Sequence, residues 1–333
     1  MFHFPRGVQS HRGLKATAAS AEAQQHIEPC GRAATRPFFW WPMGTALQLL
    51  FTGLGIGSIY ALVALGFVLI YRATNVVNFA QGDFAMLGAF SMTVLLINLG
   101  LPYWLGILIT VAAMAVFGAL FNLGVYYPLR NRSFLPVIIS TIGASILLEN
   151  GVLAAYGPQP QALPSVFESQ GFSVGTVFFD SQYMVILVVT VAMVGFQYLL
   201  FERTLLGKKM QATSQDKEMA SMLGIPVALM IMITFIYSAV LGGLAGVLVG
   251  PILFVSVGMG SSIALKAFAA SIIGGFGDVT GAIVGGLALG VIETFGAAYI
   301  SVPYKDAFAF LALLVILLFR PQGIFGERIA EKA

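Results

Sequence analysis

Asn75-Val-Val-Asn-Phe-Ala-Gln-Gly-Asp83 is the stretch on which the reading of this chain turns. It sets two Asn, a Gln and an Asp between apolar runs at 46–71 and 84–99. Further apolar runs follow at 103–127, 135–156, 182–201, 227–250, 263–277, 282–300 and 307–319. Most of them approach the ~20 residues that carry an α-helix across a hydrocarbon layer of ~30 Å. Hydrophobic residues make up 58% of the 333 and charged residues 9%, where a soluble domain would carry about a quarter charged. This specifies an all-α, polytopic transmembrane helix bundle of about nine spans, with eight or ten also compatible. The second, seventh and last runs are short, which predicts tilted, broken or re-entrant helices. In such a bundle the polar stretch belongs either in a short loop at the aqueous edge or in a break lining a pathway, because lipid satisfies no hydrogen bonds.

Basic residues orient the spans. One set of alternate loops holds Arg72, Arg130, Arg132, Arg203, Lys208, Lys209, Lys217, Arg320, Arg328 and Lys332; the opposite set holds only Lys305. The bias places the 202–226 loop and the C-terminal tail, 327–333, in the cytoplasm. The net charge of +3 follows from this topology and does not point to nucleic acid. The first 42 residues differ, with Arg6, Arg12, Lys15, Arg32 and Arg36 and no apolar stripe. They read as a disordered extension before a transmembrane domain at 43–326. A single cysteine, Cys30, excludes an intrachain disulfide, and the three histidines all lie in the extension. No Gly-x-x-x-x-Gly-Lys-Ser/Thr motif occurs, so no P-loop binds ATP here. No enzyme, cofactor or metal site is expected.

The longest basic loop contains Gly207-Lys-Lys-Met-Gln-Ala-Thr-Ser-Gln-Asp-Lys-Glu-Met-Ala-Ser-Met-Leu-Gly224-Ile-Pro226. It reads as one or two short helices, with Gly224 as a stop and Pro226 preventing continuation. Glu218-Met219-Ala220 followed by Gly224 is similar to the Glu-Ala-Ala-x-x-x-Gly loop of ABC importer permeases, with Met219 in place of the second position's Ala. That resemblance implies a coupling loop for partner ATPases, with Gly207, Lys208, Gln211, Lys217, Glu218, Ala220 and Gly224 as its candidate residues. Small Ala220 would permit close docking. The alternative is a solvated connector.

Gly53-Leu-Gly-Ile-Gly-Ser-Ile-Tyr-Ala-Leu-Val-Ala-Leu-Gly66, Asn78-Phe-Ala-Gln-Gly-Asp83, Thr141-Ile-Gly143, Leu265–Gly277, Gly281–Gly286 and Arg320–Gly326 together resemble branched-chain amino-acid ABC permeases of the H type. Gln81 stands where that family often has His, and urea and amide permeases share a close variant. The resemblance implies a multi-pass subunit of a bacterial inner-membrane importer with no cofactor of its own. Its partners would be a second permease, two ATPases and an extracytoplasmic binding protein. Its cargo would be branched-chain or related small amino acids, or amides.

Candidates for the translocation path are Asn75, Asn78, Gln81, Asp83, Glu149, Lys266 and Glu293. Asp83 fits a helix start, whereas Asn75, Asn78 and Gln81 suit an inner mouth. Glu149, Lys266 and Glu293 are ionisable groups within apolar runs, serving either function or interhelical contact, and Lys266 reads either as snorkelling or as pairing with a carboxylate. A stand-alone secondary transporter or a channel remains the rival reading, but no duplicated broken-helix motif or filter is evident.

Overall fold

The computed structural model describes residues 43–165, 171–174 and 177–326. The expected extension at 1–42 and tail at 327–333 lie outside the described residues. Eleven helices are described: α1 Met43–Thr74, α2 Gln81–Thr93, α3 Tyr103–Phe121, α4 Phe134–Tyr156, α5 Ser181–Arg203, α6 Leu205–Gln215, α7 Lys217–Met222, α8 Val227–Leu253, α9 Met259–Gly274, α10 Val279–Tyr299 and α11 Lys305–Phe319. A small antiparallel hairpin, β1 Phe172–Val174 with β2 Val177–Phe179, interrupts the expected all-helical pattern in the 157–181 loop.

Among the described residues, six helical segments are long and apolar enough to cross a membrane: Gly44–Thr74, Tyr103–Leu129, Phe134–Tyr156, Ser181–Arg203, Val227–Leu253 and Val279–Tyr299. The chain is a multi-pass helical membrane protein. Three of the nine expected spans fall short of that length. The second is α2, 13 residues extended by a π-turn at Val94–Asn98. The seventh is α9, 16 residues or about 24 Å. It was expected at 263–277, but Gly275 and Gly277 take φ of +115° and +102°, so the chain turns there. The last, α11, has 15 residues.

The core is built around α1, apolar on every face and buried almost continuously from Gly57 to Ile70. Glycines bring α10 against it. A Cβ on Gly286 or Gly290 would run into the backbone of Ala61 or Gly57, so only a bare backbone fits. The same device seats α2 on α8, Gly88 against Gly243 and Gly246 against Ala85. By contrast α4 and α5 expose large apolar side chains such as Leu147, Val188 and Val191, the surface of a bundle solvated by lipid or a partner.

The two ends of the bundle are distinct. At one, Tyr71 packs on Phe276, and Ile324 and Phe325 donate backbone hydrogen bonds of 2.9 Å to Ile273 and Gly274. At the other, Gln161 pairs with Val255 through two backbone bonds of 2.8 Å, joining the 157–181 and 251–258 loops.

Candidate functional site

The polar stretch is a re-entry. Helix α1 stops at Asn75, whose φ of +61° is tolerated by Asn and whose N–H donates to Tyr71 O at 2.7 Å. The chain then folds back into the bundle. The Phe79 N–H donates to Thr141 Oγ1 of α4 at 3.3 Å, and the Ala80 N–H donates to Asn78 Oδ1 at 3.2 Å. Gln81 donates through Nε2 to Ser238 O at 3.3 Å, and the Ser238 hydroxyl lies 2.8 Å from Gln81 Oε1 and 3.1 Å from Gly66 O. Gln81 and Ser238 together thus tie α1, α2 and the middle of α8. Asn78 and Gln81 are buried, and Asn75 alone of the three faces out. Asn78 and Gln81 brace the break, while Asp83 lies in the first turn of α2, as its position suggested, and also faces a cavity.

That cavity has a volume of about 340 Å³. Its polar wall is Asp83, Ser145 of α4 and Ser261 of α9. The remainder is aromatic and aliphatic, chiefly Phe67, Phe79, Phe268, Ile142 and Leu265. Asp83 is 1% exposed, and neither carboxylate oxygen has a well-formed hydrogen bond; the Ser145 hydroxyl is the polar group leaning toward it. Gly82 permits this approach, since a Cβ there would collide with the carbonyl of Gly260 in α9. Glu149, one turn beyond Ser145 on α4, is half-buried and does not line the cavity.

Lys266 and Glu293 do meet, but away from Asp83. Lys266 Nζ lies 2.8 Å from Glu293 Oε1 and 2.6 Å from Asp306 Oδ1, and Lys305 Nζ lies 3.2 Å from the same Glu293 oxygen. Lys266 therefore pairs rather than snorkels. Its ammonium also sits 5.6 Å from the centre of the Tyr60 ring. The cluster staples α9, α10 and α11. A smaller cavity of about 200 Å³ adjoins it, with Lys266, Lys305 and Asp306 on its wall.

The 202–226 loop forms two helices. Thr204 caps α6, accepting from the Gly207 N–H at 3.0 Å, and Asp216 caps α7, accepting from the Glu218 and Met219 N–H groups. Gly207 allows the tight α5–α6 turn, because a Cβ would strike Leu200 and Phe201. Gln211 donates to Phe201 O at 3.2 Å, and Lys208 pairs with Glu202 at 2.9 Å, an exposed pair of little energetic weight. Helix α7 ends in a Schellman turn. Ile225 N–H donates to Ala220 O and Gly224 N–H to Ser221 O, both at 3.0 Å, with Gly224 at φ +75°.

Two features of this loop were not foreseen. Ala220 is 2% exposed, and the side chains presented outward beside it are Met219, Met222 and Leu223. Lys217 Nζ donates to Thr74 O at 3.1 Å. It caps the C-terminal end of α1 immediately before the break, where a cation also meets the negative end of the helix. Burial holds its ammonium pKa below the ordinary lysine value.

Residues 49–318 match the family model described as branched-chain amino acid transport system / permease component. The chain belongs to that family. The permease protein LivH of Salmonella typhimurium is 34% identical over 301 residues, covering 86% of this chain and 97% of its own length. BraD of Pseudomonas aeruginosa is 36% identical with the same coverage. Both are named as high-affinity branched-chain amino acid transport system permease proteins. A probable LivH of Methanocaldococcus jannaschii is 31% identical, covering 81% of this chain and 89% of its own. Among solved structures, a chain of PsaBC from Streptococcus pneumoniae aligns with a TM-score of 0.47 at 14% identity, over 84% of this chain and 93% of that one.

In this permease the residues that sequence reading passed over are those that complete a group. Ser145 and Ser261 line the Asp83 cavity, and Lys305 and Asp306 complete the ion cluster. Ser145 carried a usable signal, a hydroxyl within an apolar run. Phe79 and Phe268 lay inside motifs already quoted, but nothing in their spacing shows that their rings come within 6.2 Å of one another.

Proposed function

We propose that this chain is a membrane-spanning permease subunit of an ATP-driven importer in a bacterial cytoplasmic membrane. It passes branched-chain or related small amino acids inward by alternating access, in company with a second permease, two ATPase subunits and an extracytoplasmic binding protein. The observation that carries this reading is the Lys217–Thr74 bond. It connects a loop with an exposed apolar tip to the end of α1, and the next residues form the break bearing Asp83. A partner that displaces α7 on binding ATP would bias the break directly, which is the differential contact a two-state change requires.

The Asp83 cavity supports the reading of a second permease. Its open side is edged by Phe79, Ile142 and Leu265, all well exposed on this chain. A cavity with a carboxylate in its wall is ill suited to lipid, whereas a water-filled or protein-lined path accommodates it. A partner permease covering that flank would enclose the path between the two subunits.

Met222→Glu combined with Leu223→Glu tests the coupling assignment without touching the core, since both side chains are about four-fifths exposed. Amino-acid uptake should be abolished and the ATPases should no longer co-purify, while insertion and yield stay normal. Wild-type uptake by this variant would sink the assignment. Lys217→Met should lower maximal uptake by about tenfold, roughly the factor of one charge-assisted hydrogen bond, with Lys217→Arg keeping part of it. Equal uptake by the Lys217→Met variant and the wild-type protein would leave the bond a local cap only.

A further inference from the structure

Among the described residues, Asp83 has no cation of its own. The groups facing it are Phe67 from α1, Ser145 from α4, and Gly260, Ser261 and Ala264 from α9. The titratable group nearest in charge influence is another acid, Glu149. No Lys, Arg or His lines the cavity. A buried carboxylate left this way costs several kcal/mol unless it takes up a proton or something positive arrives to meet it. No cluster of three or more His, Cys, Asp or Glu exists among the described residues, so the oxygen-rich shell that a hard divalent ion requires is not assembled.

An ammonium group meets these conditions. It is a compact cation with three donors, matched by the two Asp83 oxygens and the Ser145 hydroxyl. Phe67 and Phe268 add aromatic surface that attracts a cation at the cavity's edge and packs against aliphatic carbon beyond it. The volume of about 340 Å³ suits a small solute. We infer that Asp83 receives the α-ammonium group of the transported amino acid, with Ser145 as a further acceptor and Phe67, Phe268 and Leu265 forming the bed of its aliphatic side chain. This rests on the reading of the chain as an amino-acid permease. It also accounts for Gly82, the residue that lets the carboxylate sit against α9 at the bottom of the cavity.

The test uses the full transporter with Cys30→Ser and a reporter thiol, Ser261→Cys, on the cavity wall. The rate of labelling by a neutral maleimide is followed without the binding protein. L-Leucine and L-leucinamide, which both carry the ammonium, should slow labelling; 4-methylpentanoate, which lacks it, should not. Adding Asp83→Asn should raise the leucine concentration needed for protection by about tenfold or more, the loss expected for one charge-assisted contact, and Asp83→Glu should raise it less. Equal protection with and without Asp83→Asn, or protection by 4-methylpentanoate as strong as by leucinamide, overturns the ammonium assignment and leaves the permease reading standing. Protection by urea or acetamide, but by no amino acid, overturns the permease reading's substrate class as well. If Asp83→Asn does not assemble with the ATPases, the leucinamide and 4-methylpentanoate contrast decides alone.

Discussion

Replacing Lys266 and Lys305 together by methionine should destabilise the folded chain by about 3–5 kcal/mol, the usual cost of stranding a buried charge. Glu293 has no exposed surface, its Oε1 is held by both lysines, and its Oε2 already lacks a partner. Either single replacement leaves one ammonium in place. Lys305→Met should cost least, because that side chain is 30% exposed and Lys266 stays at 2.8 Å. Lys266→Met should cost more, since it also releases Asp306. Adding Glu293→Leu to the double variant should recover most of the loss, because an apolar replacement of a whole buried ionic group is often neutral. Thermal unfolding in detergent, read together with membrane yield, orders the four variants. If the double variant is no less stable than Lys305→Met, the cluster is not what joins α9, α10 and α11.

Gly246→Leu should be comparably severe for a different reason. At Gly246 the backbone of α8 touches the carbonyl of Ala85, so a side chain has nowhere to go without parting α2 from α8. Overpacking against backbone costs about 1–3 kcal/mol in ordinary cores and more where neither helix can yield. Because α2 carries Asp83 and Gln81, the same substitution should also abolish uptake. Gly195→Leu is the control, since no atom lies within 4 Å of its added Cβ. Equal melting temperatures for the two variants would show that the α2–α8 contact is loose.

The helices were legible because their signal is local. A run of apolar residues of the right length declares a buried helix whatever lies around it, and each of the nine runs became one. Their lengths were less legible. Helix α9 ends where Gly275 must take a positive φ, a requirement set by the docking of Phe325 and Gly326 from the far end of the chain. The site was legible as a place and illegible as a set of roles. Asn75 to Asp83 stood out as polar in an apolar setting, yet which side chain braces and which faces the cavity depends on Ser238, 157 residues beyond Gln81. Ala220 is 2% exposed, a burial that its place in a basic loop does not announce. Lys217 was named for its charge, but its bond to Thr74 spans 143 residues and no spacing rule reaches that far.

On the proposed reading, this bundle moves an amino acid under the control of partner ATPases acting through the loop at 202–226. Uptake of labelled L-leucine into proteoliposomes holding this chain with its second permease, its ATPases and its binding protein decides whether it does. Uptake should require ATP, should stop when the ATPases' P-loop lysines are replaced, and should fall to background with Met222→Glu and Leu223→Glu. Leucine uptake that continues at full rate without ATP or without the ATPase subunits would be incompatible with that control.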